Sequence, residues 1–339
     1  MDSSATQYPR IAVAVLVPLR SPDPGRPSDR PIGRAALRLA TEGVDVIFAH
    51  AATSGQVHGH RAGSGGWEPV SHVDVVAAYD RYPSQSDPEG YAALSAGLGD
   101  LLVANPVAMT LLCRDKIATQ EALTGVPMPP IATDPTQFAA TLGAWGSAYL
   151  KPRYGAFGRG IRRVKLGDPL PTHGPGSVPG VEEPLFLQKA VPPLSPWAGV
   201  SVRILCQRTS PTDWHAEVPA VRRSLTDPVV NASRGAQVVS GTEAFAGRVS
   251  AFQDLAIRCC RQLALQPGGH GFVEAGVDCV IDRDGEPWVI EVNSRPRGRL
   301  EALARSAPEA FAERHIEACA RPLRYLARHA AELSPGDGG

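Results

Sequence analysis

Asp278, Glu291 and Asn293 are polar residues set in sequence that is otherwise strongly apolar. The segment 271–293 reads GFVEAGVDCVIDRDGEPWVIEVN. Arg283, Asp284, Gly285 and Glu286 make a natural tight turn, so the flanking runs predict an antiparallel hairpin. With Asp282 paired to Pro287, Asp278 lies directly opposite Glu291. Asn293 then shares the face of Glu291, because side chains alternate along a strand. Opposed like charges destabilise such a pair. A divalent cation would offset that repulsion. Hard oxygen donors suit Mg2+, which takes one or two protein carboxylates and completes its shell with water and phosphate oxygens. Nothing on the face favours a soft metal such as zinc or copper. The competing reading is a hairpin whose polar face meets solvent.

A second constellation lies in 149–161, which reads YLKPRYGAFGRGI. A strand delivers Lys151, and Gly155, Gly158 and Gly160 follow. Glycines let backbone N–H groups turn toward a phosphate, and Lys151 and Arg153 add positive charge. The loop lacks the GK[ST] of a Walker A motif. It also runs into a predicted strand at 161–166, not the helix of a dinucleotide-binding turn. Taken alone, it fits a plain structural hairpin as well. Arg295 and Arg297 follow the acidic hairpin. They are candidates to bind an anionic substrate bidentately, and Arg222 is a further candidate for substrate contact; the competing reading of each is a solvated surface charge. The nine histidines form no base–nucleophile pattern.

The elements that must position these groups are of mixed type. Residues 11–17 form a continuous apolar run, as expected of a parallel strand covered on both faces. A loop at 21–31, a helix at 33–41 stopped by Gly43, and a strand at 44–49 follow. Residues 51–66 read as a surface loop or hairpin. Strands at 73–77 and 101–104 flank a helix at 89–97. This alternation predicts an α/β domain with a mostly parallel sheet over 1–108. Further on, helices are expected at 115–123, 250–265 and 308–326, with another starting at 133–137. Strands are expected at 148–151, 185–190 and 200–207, with a loop at 171–184. The tail 332–339 is expected to be disordered.

Hydrophobic residues make up 43% of the 339 and charged residues 20%, a globular composition. Lys plus Arg and Asp plus Glu are both 34, so bulk positive charge for nucleic acid is absent. No apolar run has the length of a membrane span, and residues 1–10 lack the apolar core of a signal peptide. The six cysteines form no CxxC pair and read as reduced thiols of a cytoplasmic protein.

Together these pieces resemble the ATP-grasp superfamily, and within it the YheC/YheD-like group. The resemblance spans about 70–300. It is carried by Tyr79-Asp80-Arg81, Asn105-Pro106, Asp115-Lys116, Lys151-Pro152, the stretch VRILCQ at 202–207 with Trp214, Arg222-Arg223, Asn231, Gly235, Asp278 and WVIEVN at 288–293. The group usually has Asp two residues before Arg203, where this chain has Ser201.

The resemblance implies an α/β (α+β) ATP-grasp fold. Residues 1–108 would be the pre-ATP-grasp domain and 109–331 the ATP-grasp domain. Within the latter, 109–190 would carry the glycine loop and hinge, and 191–331 the metal and substrate sites. Lys116 and Lys151 would contact ATP phosphates, with Gly155, Gly158 and Gly160 closing over them. Gln188, Lys189 and Ala190 would meet the adenine edge. Asp278, Glu291 and Asn293 would hold Mg2+, as two ions. Arg203, Lys151 and Asn293 would be catalytic. The implied activity is ATP-dependent ligation: a carboxylate is activated as an acyl phosphate and joined to an amine, releasing ADP and phosphate. Substrates would be small molecules or peptides, with no nucleic acid or membrane partner, and the protein would be a homodimer. Two alternatives are a ligase that modifies a ribosomal peptide and a non-catalytic, coat-type nucleotide-binding protein.

Overall fold

The computed structural model describes residues 11–18, 25–83, 86–154, 158–176, 182–230, 236–296 and 300–333. The first sheet is built from β1 (Ile11–Leu16), β2 (Val44–Thr53), β3 (Gln56–Gly63), β4 (Gly66–Asp74), β5 (Ala77–Asp80) and β6 (Val103–Ala104), with helices α1 (Pro31–Thr41) and α2 (Pro88–Leu98). Its order is β4-β3-β2-β1-β5-β6. The strands β2, β1, β5 and β6 run parallel. Alternate β1 residues serve opposite cores. Val13 and Val15 join α1, whereas Ala14 and Leu16 join α2.

Of the two alternatives for residues 51–66 the hairpin is the one formed: β2 runs on to Thr53 and pairs antiparallel with β3, which pairs with β4. Ser54 and Gly55 both have positive φ (51° and 82°), as a two-residue hairpin turn requires. The glycines and histidines of this stretch hid its alternation around buried Val57. The strand expected at 73–77 is the end of β4, and β5 starts at Ala77.

The second sheet is small and antiparallel. It contains β7 (Ile131–Ala132), β8 (Ala148–Pro152), β9 (Arg162–Val164) and β10 (Leu185–Lys189), ordered β7-β10-β8-β9. Helices α3 (Val107–Arg114) and α4 (Lys116–Ala122) precede it, and α5 (Phe138–Trp145) packs Phe138 and Leu142 on Leu150 and Leu187. The sequence reading had not assigned α3.

The third sheet contains β11 (Gly199–Arg208), β12 (Trp214–Ala216), β13 (Ala220–Ser224), β14 (Gln237–Ser240), β15 (Glu274–Ile281) and β16 (Pro287–Asn293). Its order is β14-β13-β11-β15-β16, with β12 also on β11. After the short α6 (Gly241–Ala244), α7 (Val249–Ala264) covers one face. Phe252, Leu255, Ala256, Cys259 and Leu263 recur at helical spacing and bury against Val202, Ile204, Val277 and Val289. On the opposite face Ser201, Arg203, Arg222, Asp278 and Glu291 line a cleft, while Leu205 and Ala220 pack against Leu300, Leu303 and Phe311.

After α8 (Glu301–Ser306), α9 (Pro308–Leu333) returns to the first sheet. Its Ile316, Ala320, Leu323 and Ala327 share a core with Val13, Val15 and Leu39, so both ends of the described chain close one core. The helix outruns the expected 308–326 and takes in residues 332 and 333 of the expected tail; 334–339 lie outside the described residues. Among the described residues, no helix is long and apolar enough to cross a membrane.

Candidate active site

The acidic hairpin forms with a different register from the one expected, yet with the same key pair. Ile281, and not Asp282, pairs with Pro287, and Cys279 with Val289. An irregularity then follows, and Asp278 pairs with Glu291. Ile290 is the extra residue of this bulge, which offsets the one-residue shift at the turn. Asp282 instead organises the turn. Its carboxylate accepts N–H groups from Asp284 at 3.0 Å and Glu286 at 2.8 Å.

Across that hairpin the polar groups converge. Asn293 Nδ2 donates to Asp278 Oδ2 at 2.9 Å and to Glu291 Oε1 at 2.8 Å. Arg203, opposite Asp278 on β11, donates Nε to Asp278 Oδ1 at 2.7 Å and its second arm to Oδ2. Burial works against the Arg203 charge, but Asp278 and then Glu291 hold its pKa above the usual arginine value. The trio fits a hard cation. Two carboxylates and an amide meet at one point, and turning the Asn293 amide over would present a third oxygen. Among the described residues, no group of three or more His, Cys, Asp or Glu side chains suits a metal.

Of the two lysines, Lys116 opens α4 and Lys151 lies on β8 of the second sheet. Asp115 caps α4 by accepting from the N–H groups of Ile117 and Ala118 at 3.1 Å each, which places Lys116 in the first turn. Lys116 is buried, and its ammonium lies 3.5 Å from the Arg153 carbonyl oxygen. Lys151 on β8 is buried and donates to Gln188 Oε1 on β10 at 2.6 Å. Burial pushes its pKa down to about 8, against the pull of Glu291. Burial also lowers the Lys116 pKa, again opposed by Glu291. Arg153 does not add free charge to the loop. Asp115 engages it through Nε at 2.9 Å and through a terminal nitrogen at 2.6 Å.

Gly158 lines the cleft with φ 71°, and Gly160 has φ 72°. A Cβ on Gly160 would sit 2.6 Å from Pro175, so the turn needs glycine there for space as well as conformation. Gly155 lies outside the described residues, as do Asn231, Gly235 and Arg297. Gln188 and Lys189 line the cleft, whereas Ala190 is buried. The N–H groups of Lys189 and Ala190 already donate to the carbonyls of Pro130 at 2.9 Å and Ser147 at 3.1 Å.

The cleft also takes in Arg222 and Arg295. Arg295 pairs with buried Asp80 at 2.6 Å, and Asp80 also accepts from Tyr91 at 2.6 Å. Sequence reasoning gave Tyr79, Asp80, Arg81 and Asn105 no role, and the structure supplies one. Tyr79 donates to buried Glu274, as does Gln207 Nε2 at 2.6 Å. Asn105 accepts from Val273 N–H at 2.7 Å and donates to the Glu274 carbonyl at 2.7 Å. These groups tie the first sheet to the strand that carries Asp278. The one available signal was a set of polar residues at strand ends.

Residues 184–327 match a family described as YheC/D-like ATP-grasp. Among solved structures, the D-alanine-D-alanine ligase from Coxiella burnetii aligns with a TM-score of 0.55 at 13% identity, covering 96% of each chain. The VanG D-Ala:D-Ser ligase from Enterococcus faecalis gives 0.55 at 11% identity, over 96% of this chain and 100% of that one. The ATP-grasp ligase PsnB, complexed with a minimal precursor, gives 0.50 at 17% identity over 86% and 94%. No curated protein sequence matches the chain.

Proposed function

We propose that this protein, which has the ATP-grasp fold and a YheC/D-like segment at 184–327, is an ATP-dependent ligase that joins a carboxylate to an amine. The observation that carries this reading is one cleft holding three oxygen-bearing side chains on an apolar hairpin together with buried Lys151, with buried Lys116 near enough to feel the charge of Glu291. Lys116 and Lys151 would hold the phosphates of ATP, and the loop through Gly158 would cover them. Gln188 and Lys189 would border the base. Asp278, Glu291 and Asn293 would hold Mg2+. Once bound there, Mg2+ neutralises phosphate charge as the γ-phosphoryl group moves.

Arg203 is held by Asp278 in this structure. If Asp278 held a cation, Arg203 would be free to neutralise charge on the phosphoryl group and the incoming carboxylate. A carboxylate oxygen attacks the γ-phosphorus, the bond to ADP breaks, and an acyl phosphate forms. The amine then attacks the acyl carbon and loses a proton, and phosphate leaves. The side chains mainly position charge and exclude water, which would otherwise hydrolyse the intermediate. Six buried cysteines, none of them in a disulfide, suit a reducing compartment such as the cytoplasm.

A second reading gives the same chemistry a peptide substrate. It draws on the likeness to PsnB, whose structure contains a precursor. ADP and phosphate release, measured over a panel of amino acids and peptides with product masses, tests both. Acceptor-dependent ADP release is expected and should collapse in Glu291→Ala. No turnover with any pair, or full turnover by that variant, would overturn the assignment.

A further inference from the structure

Arg222 is a cation that the nucleotide reading leaves without an anion. It lies on β13 opposite Ser201 of β11, one strand further from the metal hairpin than Arg203. Its side chain is 19% exposed. Among the described residues, the carboxylate within ion-pair range is Asp278, at 4.0 Å, and Arg203 already engages both Asp278 oxygens. Burial lowers the Arg222 pKa, and the neighbouring Arg203 adds to that effect. Beside it, Ser201 is 9% exposed, and its hydroxyl is buried with no hydrogen-bond partner. Both residues line the cleft, next to Val229, Val230 and Val280. A buried hydroxyl and a buried, weakly paired guanidinium are each costly when left unmatched. One carboxylate would satisfy both.

We propose that Ser201 and Arg222 form a subsite for a second, non-reacting carboxylate, so that the activated substrate is a small dicarboxylate. This rests on the reading of the cleft as the site of phosphoryl transfer. The reacting carboxylate lies near Arg203 and the metal face. The spectator carboxylate lies one strand spacing away, about 4.8 Å, which a short carbon chain spans. The valines accommodate that chain. An aspartate in place of Ser201 would neutralise Arg222 from within the protein.

The experiment is calorimetric titration of the full chain with glutarate and with butyrate, with and without saturating Mg·AMP-PNP. Glutarate should bind at least about tenfold tighter than butyrate. Arg222→Gln and Ser201→Asp should each remove that preference, and Arg222→Lys should retain part of it. AMP-PNP affinity should stay within about twofold in all three, which also reports that they fold. Equal binding of glutarate and butyrate to the wild type would overturn the subsite. So would an Arg222→Gln variant that loses AMP-PNP affinity as strongly as glutarate affinity. Failure of AMP-PNP to bind the wild type counts against the nucleotide reading. The nucleotide-free titrations judge the carboxylate subsite separately.

Discussion

At the scale of single residues, Lys151 shows how burial sets chemistry. Its ammonium has Gln188 as acceptor, and burial brings its pKa to about 8. A lysine in an unfolded chain holds its proton to about pH 10.4. Between these two values the unfolded chain binds more protons, so stability rises with pH across that window. A bound phosphate would restore the lysine charge. Binding of Mg·AMP-PNP should therefore take up protons at about pH 8.5 and almost none at about pH 6.5. Calorimetry in buffers of different ionisation enthalpy measures this, and Lys151→Arg should abolish the uptake. A proton count that does not change with pH would contradict the role of Lys151. The convergence of Asp278, Glu291 and Asn293 was legible because they interrupt apolar strands. The Asp115–Arg153 pairing was not, because the sequence does not show which acid a loop arginine will meet.

At the scale of elements, the hairpin and the β2–β4 meander teach opposite lessons. Face alternation placed Asp278 opposite Glu291 correctly, although the turn register was off by one and the bulge at Ile290 was invisible. In the meander, irregularities between Ala49 and Ala51 and between Val57 and Gly59 break the period-two signal. The strands bring histidines together. The rings of His50 and His60 are 5.7 Å apart, and those of His58 and His72 are 4.5 Å apart. Burial lowers the His50 pKa, followed by the charges of His60 and His58. Folding thus favours neutral His50. The stability it permits is present above the unfolded value of about 6.5 and declines as pH falls below it. Amides of β3 should lose protection between about pH 7.5 and 5.5 in hydrogen exchange corrected for intrinsic rates, and His50→Gln should reduce that loss. Identical protection factors at both pH values would refute the effect.

At the scale of the whole molecule, the cleft depends on contacts far apart in sequence, which is why they could not be read from it. Glu274 sits on the Asp278 strand, yet Tyr79 and Arg81 of the first sheet both donate to it, Arg81 at 3.4 Å. Glu274→Ala removes the buried carboxylate that Tyr79, Arg81 and Gln207 share, although Arg81 and Gln207 keep the carbonyls of Pro296 and Ala318. It should cost about 3 kcal/mol in denaturant unfolding. A cost under about 1 kcal/mol would show that the network does not join the sheets. The return of α9 to the first sheet has the same origin, since only tertiary packing selects its apolar face. Parallel strands, the glycine turn and the acidic hairpin were legible from local pattern; the assembly that gathers Lys116, Lys151 and Asp278 was not. Calorimetric titration of AMP-PNP into the wild type and Glu291→Gln, with Mg2+ or with EDTA, tests that assembly most directly. Binding should require Mg2+ and weaken by about tenfold or more in the variant. Equal affinity with EDTA, or an unaltered variant, would contradict the site.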